Sequence, residues 1–483
     1  MSERVERYTQ LLGELMEGID RGDFDQVGQI PPKYTYEYLE ALFYFAEALD
    51  GGLDFYRQMY ELVRQAGETA VREKAARGEK IKVTFLAISA AEWPADELYR
   101  MLEEDPHFEV TVTNCPLTDR DVNDSVRTYT QNKLFFTEKG YRVLDTYSPG
   151  DDRIYTWEEL NEVPDIVIHV TPWYKALPDS YQITGYPCSR VNLYIPYAFG
   201  TDGGEGPSQY SSAYDKDFYN MLRCAYVNTG FKLEWFQKHQ LLQGRNIIYS
   251  GYAKMDYFYR EHSFDEGDIR RIWKIPEKAE VNGVKRVIVA PHHSFLGYGG
   301  MLFSTFAKNA YFWLYLAEKY QNEISFIFKP HPNLRCRAVE AGVFKTAEEY
   351  DAYVAKWNAM PNAKVVEEGS YLEVFATSDA MIMDSSSFLA EYLYVDKPLL
   401  FLTRPEQVLS ALGKQFLSAY SQTDGGDYMG IEEFLINTVL GGEDNLREQR
   451  RKVFADALDY AGNNHCLASE FIYKDIKSII GAE

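Results

Sequence analysis

From Ile81 onward the chain repeats one grammar: a short apolar run, a polar loop, a helical stretch and another apolar run. IKVTFLAIS, the loop AAEWPAD, the helix ELYRMLEED and the run FEVTVTNCP make the first such unit. Strands joined through a helix cannot pair as a hairpin, so the crossover makes them parallel, in a sheet buried on both faces. YTQNKLFFTEKG reads as a helix and YRVLDTY as a strand. PDIVIHVTP, which ends at Pro172-Trp173, RVNLYIPYAFG (Arg190–Gly200), CAYVNTG and RNIIYSG read as further strands, with FKLEWFQKHQ helical between the last two. GYAKMDYF (Gly251–Phe258) reads as a hinge into a second alternating stretch: KRVIVAPHHS, a long apolar helix, ISFIFKPHPNL, AKVVEEGS, DAMIM (Asp379–Met383) and LLFL (Leu399–Leu402). Beyond about residue 430 the pattern is mostly helical. The fold class expected is α/β, with two Rossmann-like, doubly wound domains facing a cleft.

Before Ile81 the pattern differs. LLGELMEGI and YLEALFYFAEAL carry apolar residues at helical spacing, Gly51-Gly52 separates helices, and no chemical constellation is present. The expected division is a helical appendage over 1–80, a first doubly wound α/β domain over 81–255, and a second one with terminal helices over 256–483.

Composition narrows the function classes. The net charge is −23, from 73 acidic and 50 basic residues, which sets a general nucleic-acid binder aside because that class shows a basic face. Cys115, Cys188, Cys224, Cys336 and Cys466 lie far apart with no CxxC pair, so neither a disulfide framework nor a cysteine zinc site is expected. The first residues are charged and amphipathic, and no run approaches the roughly 18 apolar residues of a membrane span. The cytoplasm is the simplest compartment.

Three strand-to-loop junctions carry chemistry. Met383-Asp384-Ser385-Ser386-Ser387 follows DAMIM and precedes FLAEYLYV, which has helical spacing and ends at Asp396-Lys397-Pro398. Ser385, Ser386 and Ser387 then offer hydroxyls and backbone N–H groups to an anion, or else simply cap a helix. Glu391 lies two helical turns beyond Asp384, so both are expected on one side of that helix. Lys329-Pro330-His331-Pro332 follows ISFIF; a stiff turn would hold an ammonium and an imidazole where they suit a diphosphate, the alternative being an exposed turn. Pro291-His292-His293-Ser294 follows VIVA. Adjacent histidines point different ways and zinc-binding spacings are absent, so no metal is assigned. The GYGG after it, with Gly299 and Gly300, offers a backbone nest for phosphate or an ordinary turn. Strand ends of one parallel sheet converge along one edge, so these groups could meet.

GYAKMD (Gly251–Asp256), KPHP (Lys329–Pro332) and MDSSSFLAEYLYVDKPLLFL (Met383–Leu402) resemble the successive signatures of the CDP-glycerol glycerophosphotransferases of teichoic acid and capsule synthesis. The resemblance covers roughly residues 185 to 480. It implies a GT-B-like fold, donor bound by the C-terminal domain and acceptor by the N-terminal one. It implies His331 at the donor pyrophosphate with Lys329 beside it, Ser385 and Ser386 on phosphate, and Asp384 and Glu391 positioning loops or touching the ribose. Many members carry a Trp-His-Gly tripeptide whose histidine activates the acceptor; here the comparable stretch is YIPYAFG (Tyr194–Gly200), without histidine. The family's Ala-Pro-Thr-Trp is here Ala290-Pro291-His292-His293. His293 or His292 is the candidate substitute base, and His169 a weaker one.

The reaction implied moves a glycerol phosphate or related polyol phosphate from a CDP-linked donor to a hydroxyl of a glycan or lipid-linked acceptor, releasing CMP. The donor is a substrate and no cofactor is expected. A nucleotide-sugar glycosyltransferase of the same fold and a non-catalytic nucleotide-binding scaffold are the alternatives. Peripheral association with a membrane or partner stays open, since a strongly acidic chain is not drawn to anionic lipid.

Overall fold

The computed structural model describes residues 3–26, 28–119, 121–201, 203, 212–296, 301–367, 371–386 and 388–482. The chain forms two compact units: Met1–Tyr197 with Tyr210–Asp256 and Tyr460–Glu483, and Ala198–Gln209 with Tyr257–Asp459.

The first unit is built on a seven-stranded sheet of β1 (Ile81–Ala87), β2 (Phe108–Asn114), β3 (Val143–Asp145), β6 (Ile166–His169), β7 (Val191–Tyr194), β8 (Cys224–Val227) and β9 (Ile247–Tyr249). β4 (Tyr147–Ser148) and β5 (Arg153–Ile154) form a separate small hairpin. The order in the large sheet is β3-β2-β1-β6-β7-β8-β9, with every pairing parallel. Strand order reverses between β1 and β6. Both faces of β6 and β7 are buried, as in a parallel sheet covered on both sides.

The N-terminal helices Glu3–Asp20, Tyr36–Phe45 and Gly52–Ala76 are part of this unit's core rather than an appendage to it. The Tyr36, Tyr56 and Tyr60 hydroxyls, all buried, donate to the carbonyls of Arg190 (2.7 Å), Asn220 (2.6 Å) and Leu222 (2.7 Å). Gly67 brings its helix against β7, where an added Cβ would meet the Val191 side chain at 3.2 Å. The apolar stripes were legible, but the surface that covers them lies more than a hundred residues away.

The C-terminal helix Ala468–Ile479 also belongs to the first unit, not to the nucleotide domain with which sequence order groups it. Asp256 holds it there. Its buried carboxylate accepts from the Ala468 N–H (2.9 Å), the Ser469 N–H (2.7 Å) and the Tyr460 hydroxyl (2.6 Å). Gly251, five residues earlier, has φ +90°, and a Cβ there would meet the Tyr460 ring at 2.1 Å. The spacing of Gly251 and Asp256 is thus a docking device for the chain's end. Gly251→Ala is expected to cost more than about 2 kcal/mol, through both left-handed strain and the clash; a denaturation midpoint equal to wild type would contradict this.

The second unit has a six-stranded sheet of β10 (Lys285–Ala290), β11 (Ile324–Phe328), β12 (Ala363–Val365), β13 (Ala380–Met383), β14 (Leu399–Thr403) and β15 (Ser421–Asp424). The order β12-β11-β10-β13-β14-β15 is parallel throughout and reverses between β10 and β13. The helix Phe306–Lys319 contributes Trp313 to a core with Phe326, Phe328 and Trp357. β15 escaped the sequence reading because SQTD is polar and alternates half-buried with exposed, as an edge strand can.

The run FLAEYLYV is not one helix. Phe388–Glu391 makes a single α turn, Tyr392–Val395 continues as 3₁₀, and Asp396 ends it in the left-handed region at φ +50°. Pro398 bars continuation. Asp384 sits at the end of β13, before the helix, so it and Glu391 do not share a helix face.

Candidate active site

Open parallel sheets bind ligands outside the carboxyl ends of strands where strand order reverses. In the second unit that point lies between β10 and β13, and the loops leaving it are Pro291–Ser294 and Asp384–Ser386. The loop Lys329–Pro332 leaves the neighbouring β11. The three junctions singled out in the sequence therefore meet at one place.

Asp384 ties them together. One carboxylate oxygen accepts the His292 backbone N–H at 2.6 Å. The other accepts the Thr305 hydroxyl at 2.8 Å and the Thr305 backbone N–H, at the start of the helix Phe306–Lys319. The group is fully enclosed. Burial pushes its carboxyl up to about 6, against the pull of those donors. The loop after β11 is bound in turn: the Lys329 N–H donates to the Val289 carbonyl (2.8 Å) and the His331 N–H to the Pro291 carbonyl (3.2 Å).

Three imidazoles converge on this frame. The ring centroids of His293 and His331 are 3.9 Å apart, those of His292 and His293 4.3 Å, and those of His292 and His331 5.3 Å. Their hydrogen bonds assign two tautomers. His331 Nδ1 accepts the Asn333 N–H at 3.1 Å, which puts its proton on Nε2. His292 Nδ1 accepts the Ser294 N–H at 3.3 Å and lies 2.7 Å from the Ser294 hydroxyl, with the same consequence. His293 Nδ1 is buried without a hydrogen-bond partner among the described residues. One ring nitrogen from each histidine comes within 4.8 Å of the others, a spacing open to a metal ion. Two Nε2–H donors, however, make a set suited to an anion, because a metal needs a bare nitrogen.

Burial keeps all three rings neutral. It holds His331 down to about 3, aided by His293 and Lys329, and His293 down to about 4, aided by Arg337. His292 lies well below the ordinary value because of burial and then the other two rings. The unfolded chain takes up these protons near pH 6.5 and the folded chain does not. The contribution to stability is therefore present above pH 6.5 and lost as pH falls towards 3. Denaturation of the wild type is expected to ease steadily over that window, and less so in His293→Asn; identical slopes would contradict the neutral cluster.

Lys329 is buried, its ammonium 5.7 Å from the centroid of the Tyr371 ring. The Tyr371 hydroxyl donates to the buried Glu391, so Glu391 stands behind Tyr371. Ser385 and Ser386 are buried, and the Ser386 carbonyl accepts the Thr201 hydroxyl at 2.6 Å. The α turn beyond them is too short to supply the dipole of a full helix, so anion binding there rests on hydroxyls and N–H groups. Ser387, Gly299 and Gly300 lie outside the described residues. His169, at the end of β6 in the first unit, is buried between Tyr186 and Phe218, 3.4 Å from Asn192, and held down to about 4 by burial. That is a core position. Thr305, Tyr371 and Arg337 escaped the sequence reading, because each acts through a neighbour that only folding supplies.

A profile of the CDP-glycerol:poly(glycerophosphate) glycerophosphotransferase family matches residues 198–473, more than half of the chain and all three loops. The chain belongs to that family. It is a CDP-glycerol glycerophosphotransferase-like enzyme. Among solved structures it resembles the wall teichoic acid polymerase TagF, with 11% identity, 98% of each chain covered and a TM-score of 0.50. A TagF variant soaked with CDPG gives 11%, 98% of each chain and 0.52. A putative UDP-N-acetylglucosamine 2-epimerase from Listeria monocytogenes gives 13%, 83% of this chain, 96% of that one and 0.46. At such identity the TagF likeness speaks to the fold, which is the two-domain GT-B-like one. No curated protein matches the sequence. Among the described residues no helix is long and apolar enough to cross a membrane.

Proposed function

We propose that this glycerophosphotransferase binds CDP-glycerol, or a related CDP-polyol, on its second unit and passes the polyol phosphate to a hydroxyl of a glycan or lipid-linked acceptor in teichoic acid or capsule synthesis. The observation that carries this reading is the convergence of the β10, β11 and β13 loops, bearing neutral imidazoles and a buried ammonium, within the span of the family match. In this account Lys329 supplies fixed charge to the diphosphate. His331 Nε2–H donates to the oxygens that become more negative as the bond to CMP lengthens. Ser385 and Ser386 add donors. Asp384 is a positioning residue, and so is Glu391, through Tyr371.

The acceptor oxygen attacks the phosphorus bearing the polyol, the bridging P–O bond breaks, and CMP leaves with the bonding electron pair. His293, a neutral ring whose tautomer no hydrogen bond fixes, takes the acceptor proton on a ring nitrogen. A ring held so far below neutrality is a weak base, and a loose transition state asks little of one. The chemistry is then mostly positioning and neutralisation of charge. We place it in the cytoplasm, at the inner face of the membrane when the acceptor is lipid-linked.

The site as assigned works without a metal. Elemental analysis of the purified protein should find substoichiometric zinc, iron, cobalt and nickel, and chelation should leave turnover unchanged; a stoichiometric ion, or loss restored by one ion, would contradict this. Incubating CDP-glycerol with acceptor extracts should release CMP in step with incorporation of glycerol phosphate. Release of a nucleoside diphosphate from a nucleotide sugar instead would overturn the reading.

A further inference from the structure

The reversal of strand order in the first sheet lies between β1 and β6, and the loop leaving β6 carries Trp173. Trp93, Trp157, Trp273, Trp313 and Trp357 are buried, whereas Trp173 is 48% exposed, so packing does not explain its indole. The loop that presents it is fixed. Tyr174, the next residue, is buried against Phe218 and hydrogen-bonded to Glu40 (3.0 Å) and Asp217 (3.1 Å). The Ala176 carbonyl takes the Thr118 N–H at 2.8 Å. An exposed aromatic on a pinned loop at a sheet's switch point is a preorganised surface.

Lys216 places its ammonium 4.3 Å from the centre of the Trp173 ring. Its neighbour Asp217 is already engaged by Lys175 (2.7 Å), Tyr44 (2.8 Å) and Tyr174. Among the described residues Lys216 itself makes no ion pair with a carboxylate. Burial lowers its pKa, and the adjacent Asp217 offsets that only in part. The pair thus offers an aromatic surface beside an under-neutralised cation.

We propose that Trp173 and Lys216 form a subsite on the first unit for a saccharide that carries a phosphate. The sugar's C–H face packs on the electron-rich indole and its phosphate pairs with Lys216. This rests on the glycerophosphotransferase reading only in calling the bound species the acceptor; the binding itself does not require transfer.

The test uses the full chain and its Trp173→Ala and Lys216→Met variants, first shown to melt as wild type. Saturation-transfer NMR and calorimetry would follow a disaccharide 1-phosphate, the neutral disaccharide, inorganic phosphate and CDP-glycerol. The disaccharide phosphate should bind wild type and bind each variant roughly tenfold more weakly. The neutral disaccharide should be weakened by Trp173→Ala alone, and CDP-glycerol by neither variant. With an active acceptor, both variants should raise its KM and leave kcat and the donor KM as they were. Equal binding by wild type and variants, no binding of the disaccharide phosphate to wild type, or a Trp173-dependent attachment to phosphatidylcholine vesicles with no saccharide effect would each overturn the proposal. Intact CDP-glycerol binding in those cases would leave the donor reading standing.

Discussion

His331→Ala is expected to lower kcat by roughly a hundred- to a thousandfold, the usual consequence of removing one donor aimed at charge that develops in the transition state. Its tautomer is what makes the ring a donor. The Asn333 N–H occupies Nδ1, so Nε2–H faces away as a permanent donor, and a pKa held down to about 3 means the ring acts without being protonated. The kcat/KM of the wild type should therefore show no limb from His331 between pH 6 and 8. Folding should be little affected, since the ring is half-buried and its neighbours are other imidazoles. His331→Gln, which keeps an N–H donor of similar reach, should recover part of the loss. Turnover unchanged in His331→Ala would remove the residue from the mechanism.

The second large effect concerns Asp384 and pH. Its carboxyl stands at about 6 in the fold against an ordinary 3.8, because burial outweighs the three donors it accepts. A raised carboxyl favours the protonated folded state. Its contribution to stability is complete below pH 3.8 and lost as pH rises through 6, amounting to about 3 kcal/mol. Asparagine cannot titrate, so the difference in unfolding free energy between wild type and Asp384→Asn should change by that order between pH 4 and 6 and stay level above 7. The amide also presents N–H groups to N–H donors, leaving the His292 or the Thr305 N–H unpaired. The β10 loop then loses its anchor, and kcat should fall with it. A stability difference constant from pH 4 to 7 would contradict the assignment of a buried, titrating carboxyl.

The strand ends were legible because a short, largely apolar run such as ISFIF, rich in β-branched and aromatic residues and bounded by polar loops, reads as a buried strand, and the residues after it then emerge at the sheet's edge. That logic put Lys329, His331, His292, His293, Asp384, Ser385 and Ser386 on the loops at one edge of one sheet. Periodicity failed where the partner is tertiary. FLAEYLYV has helical spacing, yet the segment tightens into 3₁₀ after one α turn, so Asp384 and Glu391 end up with different partners, Thr305 and Tyr371. Likewise Tyr36, Tyr56 and Tyr60 mark apolar helix faces, while the carbonyls that fix those helices belong to residues 190–222. Asp256 reads only as the last residue of GYAKMD, and the Ala468 and Ser469 N–H groups that donate to it come from the far end of the chain.

The most direct test is calorimetric titration of the full chain with CDP-glycerol, CDP-ribitol, CMP, UDP-N-acetylglucosamine and a GDP-sugar, in buffer with chelator, repeated on Ser386→Ala and His331→Ala variants that melt as wild type. Ligands that bind only the native state raise its stability with the logarithm of their concentration over Kd, so melting curves give an independent reading. A CDP-polyol should bind in preference to the UDP- and GDP-sugars, without a metal, and both substitutions should weaken it. Preference for a nucleotide sugar, or CDP-glycerol binding unaltered in both variants, would contradict the donor assignment.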